Sequence, residues 1–112
     1  MGVRRALPGR PVRGSASGRP IMAALDLLGH RWMLRALWEL RDGPVGFRAL
    51  IDRCDGVSAA VLRERLVEML EVGIVEQDDA RQYQLTPIGV ELLDALTPLN
   101  KWSARWARTL GV

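Results

Sequence analysis

The sequence predicts a mainly α-helical domain with one small β-hairpin. Apolar residues recur at helical spacing in most segments after residue 19. Two short strand-like runs, 74–77 and 82–85, flank a polar turn. This hairpin directly follows two helices that a glycine-containing turn separates. That element order is typical of a winged helix-turn-helix.

Length and composition fit one soluble domain. The chain has 112 residues, of which 48% are hydrophobic and 26% are charged. No apolar run is long enough to span a bilayer, and the N-terminus lacks the apolar segment of a secretory signal. One cysteine cannot form an internal disulfide. This fits a reducing compartment, and we expect a cytoplasmic protein.

Residues 1–19 are predicted to be a flexible basic arm, and residues 20–112 the folded domain. The arm is rich in Arg, Gly, Pro and Ser and has too few large apolar groups to offset its ordering entropy. Residues 1–20 carry five arginines and no acid, whereas residues 21–112 carry eleven basic and thirteen acidic side chains. The basic character therefore belongs to the arm, which either contacts a DNA minor groove or has no role.

The folded domain is predicted to begin with two helices. A proline suits the first turn of a helix, so the first helix begins near Pro20. After Gly29, the second helix is predicted from about His30 to Arg41. The turn residues Asp42-Gly43-Pro44 then end it.

The next two helices form the predicted helix-turn-helix. A short helix runs from Arg48 to Cys54 and leads into the turn Asp55-Gly56-Val57. Ser58 is a suitable N-cap because its hydroxyl can accept a hydrogen bond from an orphan backbone amide. The helix it starts, about Ala59 to Val72, has one apolar stripe and ends before a glycine. The stripe consists of Leu62, Leu66, Met69 and Leu70.

The hairpin and two helical segments complete the domain. The predicted strands, 74–77 and 82–85, enclose the polar turn 78–81. Thr86-Pro87 opens another helix as a cap followed by a first-turn proline. Pro98 is expected to kink this helix or restart it.

Several segments together resemble the HxlR family of bacterial winged-helix regulators over roughly Pro20 to Trp106. They are Ala24-Leu25-Asp26-Leu27-Leu28-Gly29-His30-Arg31-Trp32, Leu40-Arg41-Asp42-Gly43-Pro44 with Phe47-Arg48-Ala49-Leu50, Gly56-Val57-Ser58 with Val61-Leu62-Arg63-Glu64-Arg65-Leu66, Gly73-Ile74-Val75-Glu76, and Tyr83-Gln84-Leu85-Thr86-Pro87-Ile88-Gly89. No single segment is specific, but their order and spacing are.

The resemblance implies a homodimer built by the first and last helices. It also implies a recognition helix that begins at Ser58 and enters the major groove of double-stranded DNA. The implied function is transcriptional control, often of a neighbouring gene and often tied to oxidants or small reactive molecules.

Three features depart from the family pattern. Many relatives carry a cysteine just before the first-helix proline, and Arg19 occupies that position here. Redox sensing through that thiol is therefore excluded. The wing turn is short and acidic, with Asp78 and Asp79 beside Arg81. The outward face of the recognition helix is weakly basic, although DNA affinity depends on neutralising phosphates; it presents Ala60, Glu64, Val67 and Glu71.

The candidate DNA contacts lie in the helix-turn-helix and the wing. They are Ser58, Arg63, Glu64, Arg65, Arg48 and Arg81. Arg63 suits bidentate contacts to guanine, and Glu64 can accept a hydrogen bond from cytosine. Ser58 either serves only as a cap or also helps the helix N-terminus to bind a phosphate. Arg65 either contacts DNA or pairs with Glu68 on the helix surface.

Four tryptophans suggest an alternative function. The chain has only one Phe and one Tyr, but four Trp residues. Trp32 and Trp38 are predicted on the second helix, and Trp102 and Trp106 lie one turn apart on the last. These rings either pack in the core and the dimer interface or line a cavity for a flat aromatic drug or metabolite.

The residue inventory argues against an enzyme and against a metal or other cofactor. Cys54 is interpreted as a buried, inert thiol, and His30 is the only histidine. Nothing resembles a catalytic triad or a phosphate-binding glycine loop.

The sequence therefore predicts a homodimeric transcriptional regulator that reads an inverted-repeat operator. A small-molecule binding protein is the alternative, and the two can coexist through linkage. A protein-interaction module that has lost its DNA face is a third hypothesis.

Overall fold

The computed structural model describes residues 7–9 and 18–112. Most of the predicted N-terminal arm, residues 1–6 and 10–17, lies outside the described residues. The elements in chain order are α1 (Pro20–Leu28), α2 (Met33–Glu39), α3 (Phe47–Arg53), α4 (Ala59–Glu71), β1 (Val75–Gln77), β2 (Tyr83–Leu85), α5 (Pro87–Leu96) and α6 (Pro98–Thr109). This is the predicted mainly helical architecture with a two-stranded wing.

The predicted start of the second helix is wrong. It begins at Met33 rather than near His30, because the intervening residues form a turn that closes with a hydrogen bond from the Met33 amide to the His30 carbonyl, 3.1 Å. Trp32, placed on this helix by the sequence, instead precedes it in a left-handed conformation with φ 71°. Helical periodicity does not show where a residue has positive φ. Tryptophan is also not a residue type that favours positive φ, so nothing in the sequence pointed to this conformation.

The core lies where α2, α3 and α4 meet. Its fully buried side chains come from these helices and the segments beside them: Met33, Leu37, Leu40, Leu50, Cys54, Leu62, Leu66 and Met69. The Leu62 stripe of α4 faces inward as its spacing predicts, apart from the half-buried Leu70. The inert-thiol interpretation of Cys54 agrees with its complete burial, and that burial raises the pKa of the thiol.

The wing is an antiparallel hairpin, and one residue outside it, Val45, pairs with its second strand. In the hairpin, Val75 pairs with Leu85 and Gln77 with Tyr83. Tyr83 also exchanges backbone hydrogen bonds with Val45, 2.8 and 2.9 Å long. This bridge, which sequence periodicity did not predict, ties the base of the wing to the segment before α3.

The helices after the wing begin where their prolines predict. The hydroxyl of Thr86 accepts a hydrogen bond from the Gly89 amide and caps α5. Thr97 alone separates α5 from α6, with φ −55° and ψ −40°, and Pro98 is the first residue of α6. No residue of α6 is buried. No helix within the described residues is both long and apolar enough to cross a membrane.

Candidate nucleic-acid interface

The helix-turn-helix presents the N-terminal part of α4 to solvent. The Ser58 hydroxyl accepts a hydrogen bond from the Val61 amide, 3.1 Å, as expected for the N-cap. The predicted outward residues of α4 are all exposed: Ala60, Glu64, Val67 and Glu71. A helix held this way, with its inner face in the core, has a free face for the major groove.

The turn between α3 and α4 is attached to α2 by arginines. Arg35 on α2 donates a hydrogen bond to the carbonyl of Arg53, 2.7 Å, and lies 3.6 Å from the carboxylate of Asp55. Arg53 in turn donates to the carbonyl of Glu39, 3.3 Å. These contacts fix the end of α3 relative to the core, so the orientation of α4 does not depend on the turn alone.

Arg63 is exposed, and its guanidinium lies over the ring of Phe47. The distance from Cζ to the ring centroid is 4.4 Å, within the range of a cation–π contact. Phe47 is the first residue of α3 and packs partly against the core. The contact therefore spans the two helices of the motif. Arg48, the next residue of α3, is also exposed.

Arg65 is held inside a charged cluster rather than presented to solvent. Its side chain is 16% exposed, and its Nε lies 3.1 Å from the buried carboxylate of Glu68. The N–H at Nε is not aligned for a hydrogen bond, so this contact is mainly Coulombic. Its Nη2 also donates to Glu64, 3.1 Å. Of the two interpretations of Arg65, the geometry favours the ion pair with Glu68.

Glu68 was expected only as a surface partner of Arg65, and the sequence did not indicate its burial. It is only 4% exposed and also lies 2.5 Å from Nδ1 of His30, in the turn between α1 and α2. Asp26, on α1, lies 4.0 Å from the other ring nitrogen of His30. The contact between Glu68 and His30 joins residues that are 38 positions apart, so no local sequence pattern could have revealed it. This cluster connects α4 to the start of the domain.

The acidic wing tip is organised by one of its two aspartates. The Asp78 carboxylate accepts hydrogen bonds from the amides of Ala80 and Gln82, both 2.9 Å. Asp79 is exposed and so is Arg81, whose φ is 64°. Asp78 therefore has a structural reason to be in the turn, because it satisfies backbone amides that the tight turn leaves unpaired.

The tryptophans are not gathered into one site. Trp102 and Trp106 stack with centroids 5.3 Å apart and remain 46% and 53% exposed. Trp38 stacks under the guanidinium of Arg41, 4.6 Å away, and lines a groove of about 300 Å³ between α2, α5 and α6. Trp32 does not line this groove. Within the described residues, no group of three or more His, Cys, Asp or Glu side chains is placed to hold a metal ion.

Comparisons with known proteins identify helix-turn-helix regulators as relatives of this chain. A family model described as the HxlR-like helix-turn-helix matches residues 27–110. The chain is 30% identical over 89 residues to the HTH-type transcriptional regulator YvaP of Bacillus subtilis, covering 74% of this chain and 82% of that protein.

Two solved structures have the same fold. The crystal structure of quinone-bound YodB from B. subtilis superposes with a TM-score of 0.69 at 30% identity, over 76% of this chain and 94% of that one. A protein from Thermoplasma volcanium, described as a possible HxlR family transcriptional factor, superposes with a TM-score of 0.68 at 25% identity, over 76% and 82% of the two chains.

Proposed function

Because the chain belongs to the HxlR family of helix-turn-helix transcriptional regulators, we propose that it reads an inverted-repeat operator as a homodimer. In this proposal α4 enters the major groove, with its first two turns at the base edges. The observation that carries the proposal is the exposed arginine pair of the motif, Arg63 on α4 and Arg48 on α3. Neither forms an ion pair within residues 7–9 and 18–112, so both cations are free for DNA.

The two arginines are assigned different roles. Arg63 extends from the second turn of α4, where side chains of a recognition helix reach base edges, and a bidentate contact to guanine suits its planar fork. Arg48 lies at the N-terminal end of α3 and suits a phosphate contact, which adds affinity without sequence preference. Ser58 and Glu64 complete the candidate contact surface on α4, and Arg81 extends it to the wing.

The dimer is supported by apolar surface on the terminal helices. Four apolar side chains on α6 and at its C-cap are each about half exposed, from 46% to 60%: Leu99, Trp102, Trp106 and Leu110. On α1, Ile21 and Leu25 are 51% and 57% exposed. An apolar stripe of this kind is unfavourable in water unless another surface covers it. A two-fold dimer through these helices would also place two copies of α4 on half-sites about 34 Å apart.

Selection from a random duplex library tests the proposal. We expect an enriched inverted repeat, bound with an affinity that falls steeply as salt concentration rises. Arg48→Ala should weaken binding to all sequences alike and lower the slope of log affinity against log salt by about one per subunit, which is about two for the dimer. Arg63→Ala should reduce preference at one base pair of each half-site.

A matched control is available in the turn after α2. Arg41→Ala removes the same charge from an arginine that stacks on Trp38 and lies outside α3, α4 and the wing. This variant should bind the selected operator as the unmodified protein does. Failure to enrich any motif would refute the proposed function, and an unchanged preference in Arg63→Ala would refute the contact assignment.

A second candidate function is the binding of a flat aromatic effector. Two observations favour it: the groove beside Trp38, and the quinone bound to the relative YodB. The groove is mainly apolar and is lined by Leu34, Leu37, Trp38, Leu93, Leu96 and Leu99, with polar groups from Arg35, Asn100 and Ser103. Its volume is near the lower end of ligand pockets. Binding would be non-covalent, since the Cys54 thiol is buried and its pKa is raised.

Tryptophan fluorescence tests this effector hypothesis. A benzoquinone and a redox-inert flat aromatic should both quench emission saturably, and Trp38→Phe should remove most of the effect. Trp106→Phe is the matched control for a ring outside the groove. Quenching that is linear with concentration, as for free N-acetyltryptophanamide, would refute the hypothesis.

A further inference from the structure

Phe47 contacts both the core and an exposed arginine of α4. It is the first residue of α3, and its ring packs partly against the core. The same ring supports the guanidinium of Arg63, 4.4 Å from its centroid. One residue therefore links the buried interior to the exposed surface of α4.

The contact limits the motion of a flexible side chain. An exposed arginine loses much rotamer freedom when it is ordered, and that loss opposes DNA binding. A ring below the guanidinium reduces the number of poses before DNA arrives. Since stacking occupies the face of the guanidinium, the N–H groups at its edge stay available for the two acceptors of guanine.

We propose that Phe47 is a positioning residue that preorganises Arg63 for reading one base pair. This inference rests on the proposed DNA-binding function and assigns to that site a residue that touches no DNA. Phe47 acts only through Arg63. Its effect is therefore confined to the base pair that Arg63 reads, whereas loss of a purely structural residue would weaken all contacts alike.

The test measures operator discrimination in matched variants of the full chain. The operator is the sequence selected by the unmodified protein, and its competitor differs at the Arg63 base pair alone. Phe47→Leu keeps an apolar side chain of similar bulk and removes the ring, so discrimination should fall about two- to fivefold, the range of an exposed cation–π contact. Phe47→Tyr keeps the ring face and should retain the original discrimination.

A double-mutant cycle separates positioning from stability. In the Arg63→Ala background, Phe47→Leu should cause no further loss of discrimination, because the group it positions is already absent. Discrimination at base pairs read by other residues should stay unchanged in both backgrounds. An equal loss in the two backgrounds, or no loss in Phe47→Leu, would overturn the positioning role.

A second measurement needs neither DNA nor a folded Phe47→Leu variant. In the free protein, the ring current of Phe47 should shift the Arg63 Hδ proton resonances upfield, and Phe47→Tyr should preserve the shift. Random-coil positions for these protons would overturn the inference. If selection enriches no DNA sequence, the proposed function fails. If it enriches an operator that Phe47→Leu reads normally, only the role of Phe47 fails.

Discussion

Replacing Glu68 with glutamine should lower the free energy of unfolding markedly, although the two side chains have nearly the same shape. The carboxylate is 4% exposed and lies 2.5 Å from His30 and 3.1 Å from Arg65. Its loss removes the hydrogen-bond partner of the His30 ring and the buried opposite charge beside the Arg65 guanidinium. Breaking a buried ion pair costs about 3–5 kcal/mol, and losing a hydrogen bond to a charged group about 1.5–3 kcal/mol.

The lower of these free energies apply because solvent reaches the His30 and Arg65 side chains. The side chains of His30 and Arg65 are 26% and 16% exposed, so water can partly replace the carboxylate. We therefore expect the free energy of unfolding to fall by about 2–3 kcal/mol. For a domain of this size, that corresponds to a melting temperature lower by about 10–20 °C.

Glu64→Gln is the matched control for this prediction. It makes the same chemical change one helical turn earlier, at a carboxylate that is 68% exposed and 3.1 Å from the same arginine. A surface ion pair contributes at most about 1 kcal/mol. Urea unfolding of both variants at one protein concentration gives the comparison, since the proposed dimerisation would make apparent stability depend on concentration. Equal losses in the two variants would refute the inference that the buried Glu68 carboxylate stabilises the domain more than an exposed carboxylate does.

Three further predictions concern the wing base, the terminal helix and the thiol. A Cβ on Gly89 would lie 2.1 Å from the Ile74 carbonyl oxygen, so Gly89→Ala should lower the unfolding free energy by about 2–3 kcal/mol; an unchanged urea midpoint would contradict this close approach. If the proposed dimer forms through α6, Trp106→Glu should give a monomer in sedimentation experiments, whereas Arg108→Glu, on the polar side of α6, should not; a dimeric Trp106→Glu protein would exclude α6 from the interface. Because burial raises the pKa of Cys54, iodoacetamide should modify the folded protein slowly at pH 8. The raised pKa also predicts how the buried thiol affects stability. The stability that Cys54 contributes is complete below pH 9.0, the ordinary pKa of a thiol, and is lost as pH rises further. Rapid modification by iodoacetamide, or a free energy of unfolding that grows above pH 9.0, would contradict the raised pKa.

The element order and the α4 face could be predicted from sequence because local signals specify them. Ser58 and Thr86 are N-caps in the structure as predicted, and Pro98 begins a new helix. The outward and inward faces of α4 follow helical periodicity, which depends only on backbone geometry. Arg63 was identified as a candidate base contact for the same reason, since its position on the helix is a matter of spacing.

The start of α2 could not be predicted in this way. Trp32 occupies a left-handed conformation, and tertiary packing overrides its local preference. The bridge between Val45 and Tyr83 was missed because it joins distant segments through single residues rather than a patterned strand.

The sequence by itself determined the fold class, the helix caps, the exposed face of α4 and the family. These properties follow from local patterns and from the order of segments along the chain. Only the tertiary structure decided which charged residues are free. Arg63 and Arg65 are two positions apart on one helix, yet Arg63 stacks over Phe47 in solvent and Arg65 is held by Glu68. The difference arises because a charged side chain's role depends on the groups that folding brings beside it. Phe47 lies on another helix, and Glu68 is buried against His30, 38 positions away in sequence.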